Sequence, residues 1–388
     1  MRKTLLTLLL SAAALAGGCR SSAPTSPSIS ELPANSLRTH WTRTLDMKGE
    51  SPKAIYLSGD SLFVYRSDNL LYRINRDSGE LIFVSNAAPK GEKVGVPLVS
   101  TEGIYIPSDT KIHIVDARGF RSRSIDLKQP MRSGMVGDKG GIYVGIDVGR
   151  AGGRLACLDL DRPDAPLRWQ LLTGGTVVST PALHAGILYA GSDDGKVYAV
   201  DSDRAPAWGI STFQTGGAIH GDISADASGV YVASADTKLY CLDPGNGRIR
   251  WQYYSGTPLF DSPAVTKTSV YINVRDAGMV CLDKAAGEFN RKAKWTVPEA
   301  RGFLAEDDKL TYLRGKHNTI LAVDRHTGVL KAQSQRADLA AFAVNTRDGL
   351  VYAATKSGEV FAAVAVTKPG AVGEIVFAEP SPIELSSR

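Results

Sequence analysis

Residues 181–208 read PALHAGILYAGSDDGKVYAVDSDRAPAW and contain one complete unit of a pattern that fills most of the chain. Two short apolar segments, 186–190 and 196–200, lie on either side of the polar turn Asp193-Asp194-Gly195, and the second segment ends at Asp201. Short apolar segments separated by Gly and Asp predict β-strands joined by tight turns. Residues 181–208 therefore predict a small antiparallel sheet.

Two positions of this unit return at nearly constant intervals along the chain. A tyrosine of the second strand recurs as Tyr65, Tyr105, Tyr143, Tyr189, Tyr231, Tyr271, Tyr312 and Tyr352. The residue that closes the third strand recurs as Asn75, Asp116, Asp159, Asp201, Asp243, Asp283, Asp324 and Val364, at spacings of 41, 43, 42, 42, 40, 41 and 40 residues. About 40–45 residues and four strands per unit is the period of a propeller blade. The predicted fold is therefore all-β, an eight-bladed β-propeller of four-stranded antiparallel blades.

The residues that follow the third strand predict a recurring turn. An Asp at this position accepts hydrogen bonds from backbone N–H groups of the turn after it. A glycine follows four residues later in four units, and in Asp243-Pro244-Gly245-Asn246-Gly247 we expect the second glycine to have a positive φ. The four glycines at this offset are Gly79, Gly247, Gly287 and Gly328.

A circular fold must also be closed, and the sequence offers two segments for this. Residues 40–45, HWTRTL, resemble an isolated fourth strand ahead of the first complete unit, and we expect them to pair with the blade at 340–366. Residues 373–378 are the alternative closing strand.

The N-terminus has the pattern of a secretory signal. Arg2 and Lys3 precede an apolar run from Leu5 to Leu15, which is shorter than the ~20 residues that span a bilayer. The segment Leu15-Ala16-Gly17-Gly18-Cys19 resembles a bacterial lipobox, which predicts lipidation of Cys19; an ordinary signal peptide with an incidental cysteine is the alternative.

These patterns divide the chain into four segments. We predict a lipoprotein signal peptide at 1–18, a lipidated cysteine with a Ser/Pro-rich tether at 19–38, the propeller at 39–378 and a C-terminal tail at 379–388. Arg20 follows the lipidated cysteine, where an acidic residue often signals retention at the inner membrane. The expected location is the periplasmic side of the envelope, with the outer membrane favoured.

The charge balance argues against a nucleic-acid partner. The chain carries 45 basic and 40 acidic residues, and removal of the signal leaves 43 basic ones. No dense basic run or basic-aromatic patch occurs. We expect a monomeric propeller held at the membrane by its N-terminal lipid.

The repeat resembles the pyrroloquinoline-quinone-like (PQQ-like) propeller family over residues 39–378. Residues 239–251 (LYCLDPGNGRIRW) and 197–201 (VYAVD) carry the match, while units one, two, seven and eight have lost the tryptophan of the motif. Two branches of the family matter: quinoprotein dehydrogenases, and lipoproteins of the outer-membrane β-barrel assembly machinery. Chain length, lipobox, tether and blade number resemble the second branch, although no partner-binding loop motif aligns.

The first branch implies a PQQ cofactor with Ca²⁺ in the ring centre, and the sequence argues against it. Such a site needs a Trp platform, carboxylate and amide oxygens for Ca²⁺, and often two adjacent cysteines. No cysteines are adjacent, and the five tryptophans map to outer fourth strands: Trp41, Trp169, Trp208, Trp251 and Trp295. We therefore predict no cofactor and no catalytic residues, with a quinoprotein-like oxidoreductase as the alternative.

Three cysteines share one register in different blades. Cys157, Cys241 and Cys281 each stand two residues before the blade Asp, so they lie beyond disulfide reach of one another. We expect free, buried thiols that act as small hydrophobes.

Candidate binding residues precede the first strands, which line the axis. Residues just ahead of these strands are placed to reach the channel mouth: Arg132, His220, Asp222, Asp261 and Arg301. Mixed charge there suits a small polar ligand or a peptide loop; a solvated rim with local ion pairs is the alternative. His220 and Asp222, two apart on a predicted strand, would share one face, but no third ligand is in reach and no metal site is predicted.

The function expected from these features is that of a non-enzymatic envelope lipoprotein. Its propeller would act as a scaffold for a protein partner, with outer-membrane protein assembly as the expected context.

Overall fold

The computed structural model describes residues 36–149, 152–162, 164–209, 212–285, 287–334, 336–366, 373–375 and 377–378. It forms eight sheets, each with four antiparallel strands that follow one another outward in chain order, apart from the eighth, whose outer strand comes from the N-terminal side of the ring; three of the sheets carry a short fifth strand. The predicted eight-bladed β-propeller is confirmed. The predicted signal at 1–18, Cys19 and the tail at 379–388 lie outside the described residues.

Blades 1 to 4 follow the chain order from the inner to the outer strand. Blade 1 has β2 (Pro52–Ser58), β3 (Ser61–Arg66), β4 (Leu70–Asn75) and β5 (Leu81–Asn86); blade 2 has β6 (Leu98–Val99), β7 (Ile104–Pro107), β8 (Lys111–Val115) and β9 (Arg121–Asp126). Blade 3 has β10 (Val136–Asp138), β11 (Gly141–Asp147), β12 (Gly153–Leu158) and β13 (Leu167–Thr173); blade 4 has β14 (Ala182–His184), β15 (Ile187–Gly191), β16 (Lys196–Asp201) and β17 (Thr212–Gln214).

Blades 5 to 7 continue the same arrangement. Blade 5 has β18 (Ser224–Asp226), β19 (Gly229–Ala233), β20 (Lys238–Leu242) and β21 (Ile249–Tyr254); blade 6 has β22 (Ala264–Val265), β23 (Ser269–Val274), β24 (Gly278–Asp283) and β26 (Trp295–Val297). Blade 7 has β27 (Ala300–Glu306), β28 (Leu310–Gly315), a short 3₁₀ helix (Lys316–Asn318), β29 (Ile320–Asp324) and β30 (Leu330–Ser334).

The N-terminal strand closes the ring, as the sequence predicts. Blade 8 has β31 (Leu339–Ala343), β32 (Val351–Thr355) and β33 (Glu359–Val366), and its fourth strand is β1 (Ser36–Thr44). β1 pairs antiparallel with β33 from Ser36↔Val366 to Thr44↔Glu359. The eighth blade therefore carries a tryptophan, Trp41, although the eighth sequence unit has none, because its fourth strand comes from the start of the propeller, as predicted for residues 40–45.

The C-terminal segment 373–378, the alternative closing strand, instead adds short parallel strands to the outer edges of two blades. β34 (Gly373–Ile375) pairs in parallel with β30 at the outer edge of blade 7, and β35 (Phe377–Ala378) pairs in parallel with β1 at the outer edge of blade 8. β25 (Asn290–Arg291) adds to β21 of blade 5 in the same parallel manner. These short strands cover three outer edges that would otherwise expose unpaired backbone groups.

The core lies between the blades. Each of the eight buried hydrophobic clusters joins residues of two neighbouring blades, and together the clusters account for all eight blade interfaces. The repeating tyrosine is between 0% and 4% exposed in every blade. Because full burial of one large apolar side chain contributes about 1.5–3 kcal/mol, this single position stabilises each interface substantially.

In four blades, a glycine in the turn after the third strand packs against an aromatic ring of the preceding blade. Asp243 Oδ1 accepts hydrogen bonds from the backbone N–H groups of Gly245 (2.9 Å) and Asn246 (3.1 Å). Gly247 has φ +71°, and the indole of Trp208 from blade 4 lies against its Cα. Trp41, Phe83 and Trp295 pack in the same way on Gly79, Gly119 and Gly328 of the following blade.

The positive φ predicted for Gly247 is confirmed and is shared by Gly79 and Gly328, but not by Gly287, although it has the same offset from the blade Asp. One prediction about these positions needs correction. Trp208 is not in a fourth strand, because β17 begins only at Thr212; it nevertheless stays buried against the next blade, at 2% exposure.

Candidate functional site

A cavity of about 1120 Å³ opens at the inner ends of blades 5 to 8. Its walls come mainly from first strands and from the linkers ahead of them. We call it the axial cavity. Three of the five residues predicted from the sequence line it: Asp222, Asp261 and Arg301.

The linkers fix the two carboxylates of the acidic wall. Asp222 Oδ1 accepts a hydrogen bond from the backbone N–H of Thr180 (2.7 Å), and the backbone N–H of Asp222 donates to Ser262 Oγ (2.8 Å). Asp261 Oδ2 accepts a hydrogen bond from Asn273 Nδ2 (2.7 Å). The carboxylates are thus held in place while remaining exposed to solvent.

The part of the lining that comes from blade 7 is basic. Arg301 Nη1 donates to the backbone oxygens of Pro298 and Ala300, both at 2.7 Å. Arg314 lies on the second strand, directly across from Gly302 on the first. Because Gly302 has no side chain, Arg314 passes over it and also lines the cavity.

Apolar side chains complete the lining of the cavity. Val344 lines the cavity and is 58% exposed, and Phe342 beside it is half-buried. Met279 and Leu304 lie deeper, at 3% and 2% exposure. The cavity therefore combines fixed acids, basic groups and exposed apolar surface, as expected of a binding site for a ligand with both polar and apolar parts.

A smaller cavity of about 300 Å³ adjoins the axial cavity and shares Asp261, Asn273 and Arg301 with it. Phe260 lines the smaller cavity and lies against the imidazole of His220, with ring centroids 5.4 Å apart. His220 Nε2 is 2.9 Å from Asp193 Oδ1 of the preceding blade. His220 is therefore at the mouth, beside the axial cavity rather than in it.

Arg132 is not brought to this cavity. It lies in the linker between blades 2 and 3, and its Nε donates to Asp147 Oδ2 at 3.0 Å. The five predicted residues therefore do not form one cluster.

The expectation that His220 and Asp222 share a strand face is wrong. β18 begins at Ser224, so both residues belong to the linker, and they turn to different partners: Asp193 for His220 and Thr180 for Asp222. In the described part of the chain, no group of three or more His, Cys, Asp or Glu side chains is placed to hold a metal ion.

Sequence reasoning missed Arg314 and Val344. The only signal for Arg314 is the glycine two residues into β27, which the cross-strand register places opposite it. Val344 stands eight residues before Tyr352 at the inner-strand position, but the pattern does not indicate that it stays exposed.

The residues of the axial cavity do not fit a quinone with Ca²⁺. All five tryptophans pack within or between blades, and none lines the cavity, so no indole platform is available there. The side-chain amide of Asn273 turns its nitrogen, not its oxygen, to the carboxylate of Asp261. Arg301 and Arg314 add positive charge to the same cavity. Such a donor set disfavours a divalent cation.

The three cysteines described are free and buried, as predicted. Burial raises the thiol pKa to about 11 for Cys157 and Cys281 and to about 12 for Cys241. A thiol with such a pKa has almost no thiolate at neutral pH and is chemically inert.

The radial sheets, buried tyrosines and Asp-closed turns define a propeller of PQQ-like repeats, the class that the sequence resembles. The family model described as outer membrane protein assembly factor BamB matches residues 11–201, 108–258 and 194–304. These overlapping matches extend over three quarters of the chain, and the chain belongs to this family.

Solved structures share the fold at low sequence identity. BamB from Moraxella catarrhalis superposes with a TM-score of 0.64 at 18% identity, covering 84% of this chain and 97% of that one. The quinohemoprotein alcohol dehydrogenase ADHIIG from Pseudomonas putida HK5 gives 0.59 at 14% identity, covering 89% and 78%. The computationally designed Ika8 protein gives 0.56 at 14%, covering 82% and 98%.

No curated protein matches the sequence significantly. Within the described residues, no helix has the length and apolar character needed to cross a bilayer.

Proposed function

We propose that this chain is a non-enzymatic, lipid-anchored scaffold of the bacterial envelope that binds a protein partner during outer-membrane protein assembly. The observation that carries the proposal is the family match over residues 11–304. The lipobox at Cys19 and the Ser/Pro-rich tether support attachment to a membrane, with the outer membrane favoured.

The mouth around the axial cavity is the surface we assign to the partner. It presents Phe260, which is 42% exposed, beside charged groups of both signs. Aromatic anchors surrounded by polar groups are typical of protein interfaces.

Photo-crosslinking in intact cells tests this assignment. p-Benzoyl-phenylalanine at the position of Phe260 should yield a specific envelope protein. The matched control is the position of Phe120, which is 67% exposed and lies in the turn after the third strand of blade 2, on the opposite face of the ring. Equal crosslinking from both positions, or no product from Phe260, would contradict the proposal.

The membrane anchor has a separate test. The Cys19→Ser variant should lose incorporation of labelled palmitate and move to the soluble periplasmic fraction, because several acyl chains on Cys19 would supply the membrane affinity. Retention of the variant in the membrane fraction would show that another element holds the chain there.

An oxidoreductase role is the alternative, and its test is independent of any partner. The purified protein should show no rise in melting temperature when PQQ and Ca²⁺ are added, because a ligand that binds the native state raises it. A rise accompanied by dye-linked alcohol oxidation would overturn the non-enzymatic assignment.

A further inference from the structure

We infer that the axial cavity binds the C-terminal carboxylate of an extended polypeptide whose last side chain is apolar. This inference rests on the proposed function, since it specifies the partner chemistry that the mouth would accept. It follows from the arrangement of two arginines, an exposed apolar wall and two fixed aspartates.

Arg314 provides the first observation. Its guanidinium forms no hydrogen bond or ion pair with any described residue, although it borders a cavity with three aspartates in its lining. A Cβ at Gly302 would lie 3.6 Å from Arg314 Nε and 3.8 Å from Nη2, so the guanidinium lies across the glycine. An arginine held in this way presents its planar fork to a carboxylate.

Arg301 provides a second donor group on the same wall. Its Nη1 donates to two backbone oxygens, which fixes the head of the side chain. The guanidinium has five N–H donors, so Nε and Nη2 leave three for a ligand. A carboxylate at this wall would therefore meet two guanidinium groups, one of them already oriented.

The apolar wall next to the arginines accommodates the last side chain. Val344 is 58% exposed at the cavity, with Phe342 beside it and Met279 below. Water in contact with this surface would be released when an aliphatic or aromatic side chain covers it. The cavity volume of about 1120 Å³ has room for more than the terminal residue alone.

The acidic wall favours a peptide terminus over an acidic segment. Asp222 and Asp261 line the same cavity as the arginines and are exposed acceptors. They can accept hydrogen bonds from the amide N–H groups of the residues that precede the terminus, but they repel a second carboxylate. A ligand with one negative charge followed by backbone amides satisfies both walls.

The test uses the full chain in nanodiscs and a fluorescein-labelled peptide, Gly-Ser-Gly-Ser-Val-Phe, with a free C-terminus. We expect fluorescence anisotropy to show saturable binding, weakened about tenfold or more when the terminus is amidated, because a hydrogen bond to a charged group contributes on the order of 1.5–3 kcal/mol. Replacement of Val-Phe by Ser-Ser should weaken binding as well.

Variants of the protein test the assigned residues. Arg314→Gln should reduce the difference between the free and amidated peptides, and Val344→Ser should reduce the difference between Val-Phe and Ser-Ser. Arg121→Gln, an exposed arginine on the outer strand of blade 2, is the matched control and should leave binding unchanged.

Three results would overturn the inference: equal binding of free and amidated peptides, no effect of Arg314→Gln, or equal competition by decanoate, which would indicate a fatty-acid site. Crosslinking from the Phe260 position separates this failure from that of the proposed function. If the crosslink forms while the peptides do not discriminate, only the present inference fails.

Discussion

Replacement of Gly247 by alanine should destabilise the propeller by more than its backbone conformation alone explains. Gly247 has φ +71°, and an added Cβ would lie 2.7 Å from two atoms of the Trp208 indole in the preceding blade. The indole is 2% exposed, and its Nε1 donates to the backbone oxygen of Pro244 (2.9 Å), so it has little room to move. The side-chain clash therefore adds to the backbone strain.

A matched glycine separates these two contributions. Gly186 has φ +78° with nothing within 4 Å of an added Cβ. Gly186→Ala should cost about 1–2 kcal/mol, the strain of an L-residue in the left-handed region. Gly247→Ala should cost that amount plus about 1–3 kcal/mol for overpacking.

Urea titration followed by far-UV circular dichroism measures both free energies of unfolding. A double-mutant cycle completes the test: in a Trp208→Ala background the excess cost of Gly247→Ala over Gly186→Ala should disappear. Equal costs for the two glycine variants, or an excess that persists without the indole, would refute the role assigned to this contact.

Three further predictions concern the ring as a whole. Arg76→Ala should lower the free energy of unfolding by about 1.5–3 kcal/mol in urea titration, because it removes a buried guanidinium that joins Asp348 across the closure. Removal of residues 367–388 should lower the melting temperature yet leave the β-sheet circular dichroism spectrum of the folded protein unchanged, because the β1–β33 ladder is untouched. In a Cys19→Ser background, iodoacetamide should label native protein at pH 8 more than 100-fold more slowly than urea-unfolded protein. The reason is that folding raises the pKa of all three described thiols to about 11–12.

Each of these predictions has its own contradicting result. Arg118 is part of an exposed ion pair, so Arg118→Gln is the control for Arg76 and should cost less than about 1 kcal/mol. Equal losses of unfolding free energy in the two variants would contradict the role assigned to the Arg76–Asp348 ion pair in closing the ring. Unfolding of the truncated chain at room temperature would show that the two parallel strands are essential for closure. Rapid labelling of native protein at pH 8 would show that at least one blade interface opens readily.

The repeat period predicts most of the fold, because one burial pattern recurs eight times. Tyr231 and Asp243 illustrate why: the first must be buried between blades, and the second must accept hydrogen bonds from its own turn. Both requirements are local, so they are visible in sequence. The same holds for the free thiol of Cys241, which shares the blade register.

The axial cavity is only partly predictable, because its lining depends on where each strand begins and on which residues pair across neighbouring strands. The sequence pattern predicts that His220 and Asp222 lie on a strand, but β18 begins later, at Ser224. Arg314 reaches the cavity only because Gly302 is opposite it, and this pairing can be found only when the register between β27 and β28 is known. Trp41 pairs with Ala362, 321 residues further along the chain. The sequence predicts this pairing only from the need to close the ring, and it leaves residues 373–378 as an alternative.

The pairing of β1 with β33 also sets the order in which the molecule can mature. Thr44 meets Glu359 only after 315 further residues have been made, and at about 5–20 residues per second this takes on the order of 15–60 seconds. Throughout this time β1 has no antiparallel neighbour, and the hydrophobic side of blade 1 that later faces blade 8 stays uncovered. We therefore expect the yield of folded protein to be sensitive to chaperones that bind unfolded chains, even where its final stability is high.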